Sequence, residues 1–314
     1  SAHLQRHGDA GKSIRYAAPV NQPGNPAMCA ACLLINGEDL EARLGDPDLR
    51  VYDCTTWLRP DPPRIYRVES GRKDFVAGHI PGADFLDLTG ELSDLAAGFN
   101  FTMPAPEVLA QALGAHGIGD HSAVVLYSRD NIMWATRVWW MMRAIGFDSA
   151  SVLDGGFDKW QAEGWPVSND ITRYPTANLT PQPRPDLFCD SATVLAAMEA
   201  PDTCIINALR ATQHDGSEAL NYGRPGRIPG SVNVPGISLL DPETKAYRPL
   251  PELESIFAEV GALRAEKVVI YCGGGIAATS DAFTLARLGK EAVSIYDASM
   301  SEWANNPQLP MKTG

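Results

Sequence analysis

No stretch of this 314-residue chain approaches the roughly 20 consecutive apolar residues that a membrane-spanning helix needs. Positive charge is also scarce, since 26 Lys and Arg against 38 Asp and Glu leave a net charge of −12. Such a surface repels phosphate groups, so neither nucleic acid nor an anionic membrane is expected as a partner. Cysteine is sparse too. The six residues at 29, 32, 54, 189, 204 and 272 are too few for a disulfide-stapled secreted fold. Cys29 and Cys32 make one CxxC without a second pair or a histidine partner, so the zinc spacing is missing. They read either as a redox pair or as small residues leading into the first apolar stretch. His116, His121 and His214 stand in polar contexts without ligand spacing, and no metal is expected. A dinucleotide fingerprint and a Gly-Lys-Ser/Thr phosphate loop are both lacking, so no organic cofactor is expected either. Residues 1–27 carry no secretory-signal pattern. Residues 1–32 are expected to be an irregular extension, and the reducing cytoplasm is the expected location.

What the chain does contain is a repeat. Val124-Val125-Leu126-Tyr127-Ser128 returns as Val268-Val269-Ile270-Tyr271-Cys272, 144 residues later. Gly78-His79-Ile80-Pro81-Gly82-Ala83 returns as Gly226-Arg227-Ile228-Pro229-Gly230-Ser231, and Asp154 with Trp160 returns as Asp297 with Trp303. Three patterns in one order at nearly one spacing mark a tandem duplication. Between the copies, residues 166–186 hold prolines at 166, 175, 181, 183 and 185, which deny the N–H groups that a helix or central strand requires. The domains are therefore placed at 33–168 and 187–314, with a semi-extended linker over 169–186. Short apolar runs at 49–53, 83–88, 123–128 and 149–153 predict strands in the first copy. Those at 203–207, 231–235, 268–272 and 292–296 predict them in the second. Amphipathic helices are predicted near 38–44, 106–116, 131–145 and 157–163, then near 191–199, 251–260, 276–288 and 298–304. This alternation implies an α/β fold with a mainly parallel open sheet in each domain, flanked by helices. Trp139, Trp140, Met141 and Met142 read as core on the apolar face of a helix. Trp160 and Trp303 are expected to pack on their own sheets, and Cys54, Cys189 and Cys204 to be packing residues.

In open parallel sheets, ligands bind at the carboxyl ends of the strands. At that position in the second copy stands Cys272-Gly273-Gly274-Gly275-Ile276-Ala277, a cysteine at a strand end followed by three glycines and a helix start. Glycines can curl so that successive N–H groups face inward, and the helix behind adds unpaired donors and the positive end of its dipole. A sulfur at the centre would be held as thiolate, and a persulfide anion would suit the same cradle. The alternative is close packing of strand on helix. The first copy has Ser128-Arg129-Asp130-Asn131 at the same place, as a duplicated enzyme with one silent half would.

GHIPGA at 78, RVWWMMRAIG at 137, VLDGGFDKW at 152, GRIPGSVNVP at 226 and VVIYCGGGIAAT at 268 together resemble the two-domain rhodanese-like sulfurtransferases, over about residues 33–310. The resemblance implies two tandem rhodanese-like domains, only the C-terminal one catalytic. It makes Cys272 the sulfur carrier and 272–277 the active loop, nearer the mercaptopyruvate-type pattern C-G-S-G-V-T than the thiosulfate-type C-R-K-G-V-T. Gly274 and Ala277 depart from both patterns. The family's Asp-x-Arg is replaced by Asn207-Ala208-Leu209-Arg210, and the histidine of its G-H-I-P-G turn by Arg227. An anionic donor still calls for a cation, for which Arg224 and Arg227 are the first candidates and Arg210 the third. The implied chemistry is covalent. The Cys272 thiolate takes the outer sulfur of thiosulfate or 3-mercaptopyruvate, and a thiol, cyanide or a thioredoxin-like protein then accepts it, without metal or cofactor. Two other readings compete. A cysteine phosphatase needs an arginine six residues after the cysteine, where Ala278 stands. A non-catalytic binding or sensing module would keep the fold alone.

Overall fold

The computed structural model describes residues 33–314; Cys29, Cys32 and the rest of the 1–32 extension lie outside them. The first sheet is built from β1 (Leu34–Ile35), β2 (Leu49–Asp53), β5 (Asp84–Phe85), β6 (Ala123–Tyr127) and β7 (Ala150–Leu153), in the order β1-β7-β6-β2-β5. The second uses β8 (Phe188–Cys189), β9 (Thr203–Asn207), β10 (Val232–Asn233), β11 (Lys267–Tyr271) and β12 (Val293–Tyr296), in the order β8-β12-β11-β9-β10. Every pairing in both sheets is parallel, and the two orders are the same once the copies are aligned. Central strands read as unbroken apolar runs because helices cover both faces. The outermost strands hold only two residues each, so expectations of five or six at 83–88 and 231–235 overshoot. Short edges limit the unpaired backbone that a sheet exposes.

Equivalent hydrogen bonds repeat along with the topology. The Trp160 indole donates to the Pro166 carbonyl and the Trp303 indole to that of Pro310, both at 2.8 Å. The hydroxyls of Tyr127 and Tyr271 accept from the amides of Ile80 and Ile228. His79 bridges to Ser168 as Arg227 bridges to Lys312. A duplicated sequence has thus kept duplicated polar locks, not only a duplicated pattern of hydrophobicity.

One helix departs from its expected surface. The run 131–145, read as amphipathic, forms α4 (Met133–Ala144), and nearly all of its residues are buried, including Trp139, Trp140, Met141 and Met142. Its second face lies on α9 (Ala277–Arg287), the helix that follows Cys272. Across that seam the Thr136 and Thr279 hydroxyls meet at 2.8 Å, and Trp139 meets the Phe283 ring edge-on at 4.9 Å between centroids. The two domains are therefore joined helix to helix beside the candidate loop.

Residues 169–184 carry neither helix nor strand and run along the first domain. Tyr174 donates to the Gly82 carbonyl and accepts from the Val51 amide, while Ala177 and Gln182 bond to the carbonyls of Gly114 and Ile145. An antiparallel hairpin, β3 (Thr56–Asp61) with β4 (Arg64–Ser70), was not expected from the sequence. It stands between β2 and the helix Arg72–Ala77. Among the described residues no helix is long and apolar enough to cross a membrane.

His116, at the C-terminal end of α3 (Pro106–Ala115), holds the helix to the sheet edge through Asp84 at 3.3 Å and Glu91 at 3.1 Å. Those carboxylates push its pKa up to about 9 from 6.5. The raised value means that its stabilising charge is fully present below pH 6.5 and lost as pH rises through about 9. His116→Gln should therefore lower the unfolding temperature most at mildly acidic pH, with the deficit gone above about pH 9. Thermal unfolding of both proteins across that range checks this, and a deficit that does not vary with pH would contradict it.

Candidate active site

Cys272 follows β11 directly and is 2 % exposed. Its amide donates to the Ser299 hydroxyl at 3.1 Å, and its carbonyl accepts from the Met300 amide at 3.0 Å. The Gly273 carbonyl accepts from the Ser301 amide and hydroxyl, the Gly275 carbonyl from Arg137, and the Ile276 carbonyl from Thr279. Loop carbonyls are thus fastened to their surroundings. By contrast, the amides of Gly273, Gly274, Gly275 and Ile276 donate to no acceptor among the described residues. They stand at the N-terminus of α9, where helix geometry leaves further donors unpaired. Gly275 takes a φ of +73°, and a side chain there would come within 2.7 Å of the Asp297 carbonyl. Only glycine fits that turn.

The twin loop after β6 is wired differently. The Arg129 amide donates to the Thr55 hydroxyl, that of Asp130 to the Asp158 carboxylate and that of Asn131 to the Arg129 carbonyl. The Arg129 guanidinium lies 3.8 Å from the centroid of the Phe157 ring and pairs with buried Asp53 at 3.3 Å. Side chains fill the space and internal acceptors take the amides. At the same topological position, one domain satisfies its loop and the other leaves it open.

Much of what surrounds Cys272 comes from outside its own loop. The Tyr222 ring lies on Gly273, so close that a Cβ placed there would fall 1.9 Å from its Cζ. Tyr66, on β4 of the first domain, meets Tyr222 edge-on at 6.0 Å. Asn100 and Phe101, also from the first domain, flank Gly274. Burial holds both phenols protonated, with Tyr66 pushed up to about 12 and Tyr222 well above its ordinary value. Fully buried Arg137 of α4 joins the parts. It bonds the Phe101 carbonyl at 2.5 Å and the Gly275 carbonyl at 3.1 Å, and pairs with Asp297 at 2.8 Å. Asp297 in turn accepts from the Met103 amide. Phe101 itself is held at a φ of +65°.

The arginines named from the sequence do not gather around the sulfur. Arg224 is committed to the carbonyls of Trp303, Ala304 and Asn306 at the end of the helix Ser299–Trp303. Arg227 occupies the position of His79 and reaches the His214 carbonyl. Arg210 is 60 % exposed and paired with Glu218, and its charge acts on Tyr222. Of the three it is the one whose charge acts on the ring lying on the loop, although it ranked third, while Arg227 acts on Tyr271 just before Cys272. Cys54, Cys189 and Cys204 are free thiols whose pKa values are raised by burial, in keeping with packing roles. The sequence reading missed Tyr66, Tyr222, Asn100 and Arg137. Pro62, Pro63 and the arginines around them dilute the strand signal of the hairpin, and no sequence pattern places it over the other domain.

Arg137→Met should cost about 3–5 kcal/mol by leaving Asp297 without its buried countercharge. It should also loosen Gly275, so that denaturant midpoint and donor turnover fall together. An unchanged midpoint would remove Arg137 from this role.

Comparison with known proteins agrees with this geometry. The rhodanese-like domain model matches residues 36–163 and again 196–306. Thiosulfate/3-mercaptopyruvate sulfurtransferase 1, mitochondrial, of Arabidopsis thaliana is 32% identical over 297 residues, covering 87% of this chain and 76% of that protein. The solved 3-mercaptopyruvate sulfotransferase SseA of Escherichia coli superposes with a TM-score of 0.74 at 27% identity, over 86% of this chain and 99% of its own. A structure of EanB T414A in complex with hercynine gives 0.77 at 25% identity, over 90% of this chain and 69% of its own. With the family model matched in both halves and sulfurtransferases aligned along most of its length, the chain belongs to the rhodanese-like family, as a sulfurtransferase with two such domains.

Proposed function

We propose that Cys272 carries sulfane sulfur as a persulfide between a small anionic donor and a thiophilic acceptor. The contrast between the two loops carries this reading. Four amides without acceptors stand beside the cysteine, whereas three amides of the twin loop are taken by internal groups. Main-chain donors at a helix N-terminus favour negative charge on sulfur. They need no reorganisation when that charge passes from thiolate to persulfide.

In the first half-reaction the thiolate attacks the outer sulfur of the donor and a Cys272 S–S bond forms. With thiosulfate, the donor S–S bond breaks and sulfite leaves with the electron pair. With 3-mercaptopyruvate, the C–S bond breaks towards carbon and the resulting enolate takes a proton to become pyruvate. An acceptor thiol then removes the outer sulfur and regenerates the Cys272 thiol. Because Cys272 is 2 % exposed, a donor enters only when the covering side chains shift, with Tyr222 as the group lying on the loop. Arg210 is the candidate to meet the donor's charge, because Arg224 and Arg227 are held by main-chain carbonyls. Of the two donors, 3-mercaptopyruvate is favoured by the loop, which has no basic side chain to hold a sulfonate. Each turn starts from a reduced Cys272 thiol, which suits a reducing compartment such as the cytoplasm.

One observation favours a second reading of the acceptor. Tyr222 lies on Gly273 and Tyr66 meets its ring, so an aromatic wall stands beside the cysteine. EanB, with the same fold, has been solved in complex with hercynine. A small aromatic acceptor would suit such walls.

Intact-protein mass after incubation with 3-mercaptopyruvate or thiosulfate tests the persulfide. The expected result is a gain of one sulfur, reversed by cyanide and absent in Cys272→Ser. No adduct with either donor would sink the reading. Faster loading by thiosulfate would reverse the donor preference, and hercynine that leaves the loaded protein unchanged would remove the aromatic acceptor.

A further inference from the structure

Beside each loop runs a segment that repeats with it, from Asp154 to Trp160 in the first domain and from Asp297 to Trp303 in the second. The Phe157 amide donates to the Ser128 carbonyl as the Met300 amide donates to that of Cys272, each at 3.0 Å. Gly156 and Ser299, at φ +58° and +50°, are equivalent too. This alignment sets Asp158 against Ser301 and the loop residue Asp130 against Gly274. The two side chains treat the same peptide unit in opposite ways. In the first domain the Asp158 carboxylate accepts from the Asp130 amide at 2.6 Å, and the Arg129 carbonyl turns to the Asn131 amide. In the second, the Ser301 hydroxyl and amide donate to the Gly273 carbonyl at 2.8 and 2.9 Å. A trans peptide points its C=O and N–H in opposite directions. The Gly274 N–H is therefore turned away from the helix Ser299–Trp303, and it has no acceptor among the described residues. The left-handed residue moves one place along with it, from Asp130 at φ +60° to Gly275 at φ +73°.

We propose that Ser301 is a positioning residue that keeps the Gly274 amide free for the charge on Cys272, whereas a carboxylate in its place takes that amide for itself. This rests on the persulfide reading above. The chemistry of the two side chains decides the direction of the peptide, since an ionised carboxylate can only accept and a hydroxyl can donate to a carbonyl. Ser301 is close enough to act so, its Oγ lying 3.8 Å from where a Cβ on Gly274 would stand. Because the Ser301 amide also holds the Gly273 carbonyl, loss of the hydroxyl alone loosens this peptide without turning it.

The test follows single-turnover persulfide formation across pH in wild type, Ser301→Ala, Ser301→Thr and Ser301→Asp, with 3-mercaptopyruvate and thiosulfate as the probes. Ser301→Ala should slow formation at saturating donor about 2–10-fold, as for one ordinary hydrogen bond. Ser301→Thr keeps the hydroxyl and should recover most of that rate. Ser301→Asp should slow formation about 10–100-fold, as for one lost bond to a charged group. It should also raise the pH of half-maximal rate by about one unit or more, because a thiolate that loses a donor is harder to form. A crystal structure of Ser301→Asp should show the 273–274 peptide turned as in the first domain, with the Gly274 amide on the introduced carboxylate. A peptide that keeps its wild-type direction would overturn the assignment, since any loss would then come from added charge alone. Ser301→Ala as fast as wild type, or Ser301→Thr no faster than Ser301→Ala, would overturn it equally, and this pair decides the matter if Ser301→Asp does not fold. Absence of an adduct in the wild type would overturn the persulfide reading, and the peptide's direction in Ser301→Asp would still show whether Ser301 sets it.

Discussion

A single buried guanidinium holds the two halves in register. Arg137 belongs to the first domain, yet it bonds the Gly275 carbonyl of the second and pairs with Asp297 after β12. A charge that deep needs partners, and here two carbonyls, a carboxylate and the face of Phe188 surround it, although its Nε is left without a hydrogen-bond partner among the described residues. The consequence for chemistry is indirect but strong. With its carbonyls pinned by Arg137, Ser301, Met300 and Thr279, the loop turns by way of a left-handed glycine and its amides are left over.

The first domain does more than repeat the second. Its own loop has closed on itself through Arg129, Asp53 and Phe157. Its remaining surfaces have become part of the neighbouring site. Helix α4 packs on α9 immediately after the Cys272 loop, Asn100 and Phe101 flank Gly274, and the hairpin brings Tyr66 to Tyr222. The first-domain loop that is filled by its own side chains thus stands beside a buried seam that holds the Cys272 loop. A buried seam of this kind also explains why α4 has no solvent face despite its helical period.

Particular residues show how far the sequence could be read. Central strands at 49–53 and 203–207 were legible because continuous apolar runs have few other places to go in a covered sheet. The place of Cys272 and its glycines, after a strand and before a helix, was legible because it follows from neighbours along the chain. The arginines were not. Arg224 and Arg227 looked like anion clamps, yet a guanidinium binds helix-end carbonyls as readily as a carboxylate, and only the fold says which is near. The hairpin was obscured by Pro62, Pro63 and several arginines, which dilute the strand pattern.

By itself the sequence determined the duplication, the parallel sheets and the strand end at which Cys272 stands, because each follows from periodicity or from neighbours along the chain. Which loop amides remain without an acceptor, which guanidinium is buried and which tyrosines cover the thiol were decided by tertiary structure alone. Those properties depend on groups from different domains meeting across a seam, between residues as far apart as Tyr66 and Tyr222, and no local pattern encodes such a meeting.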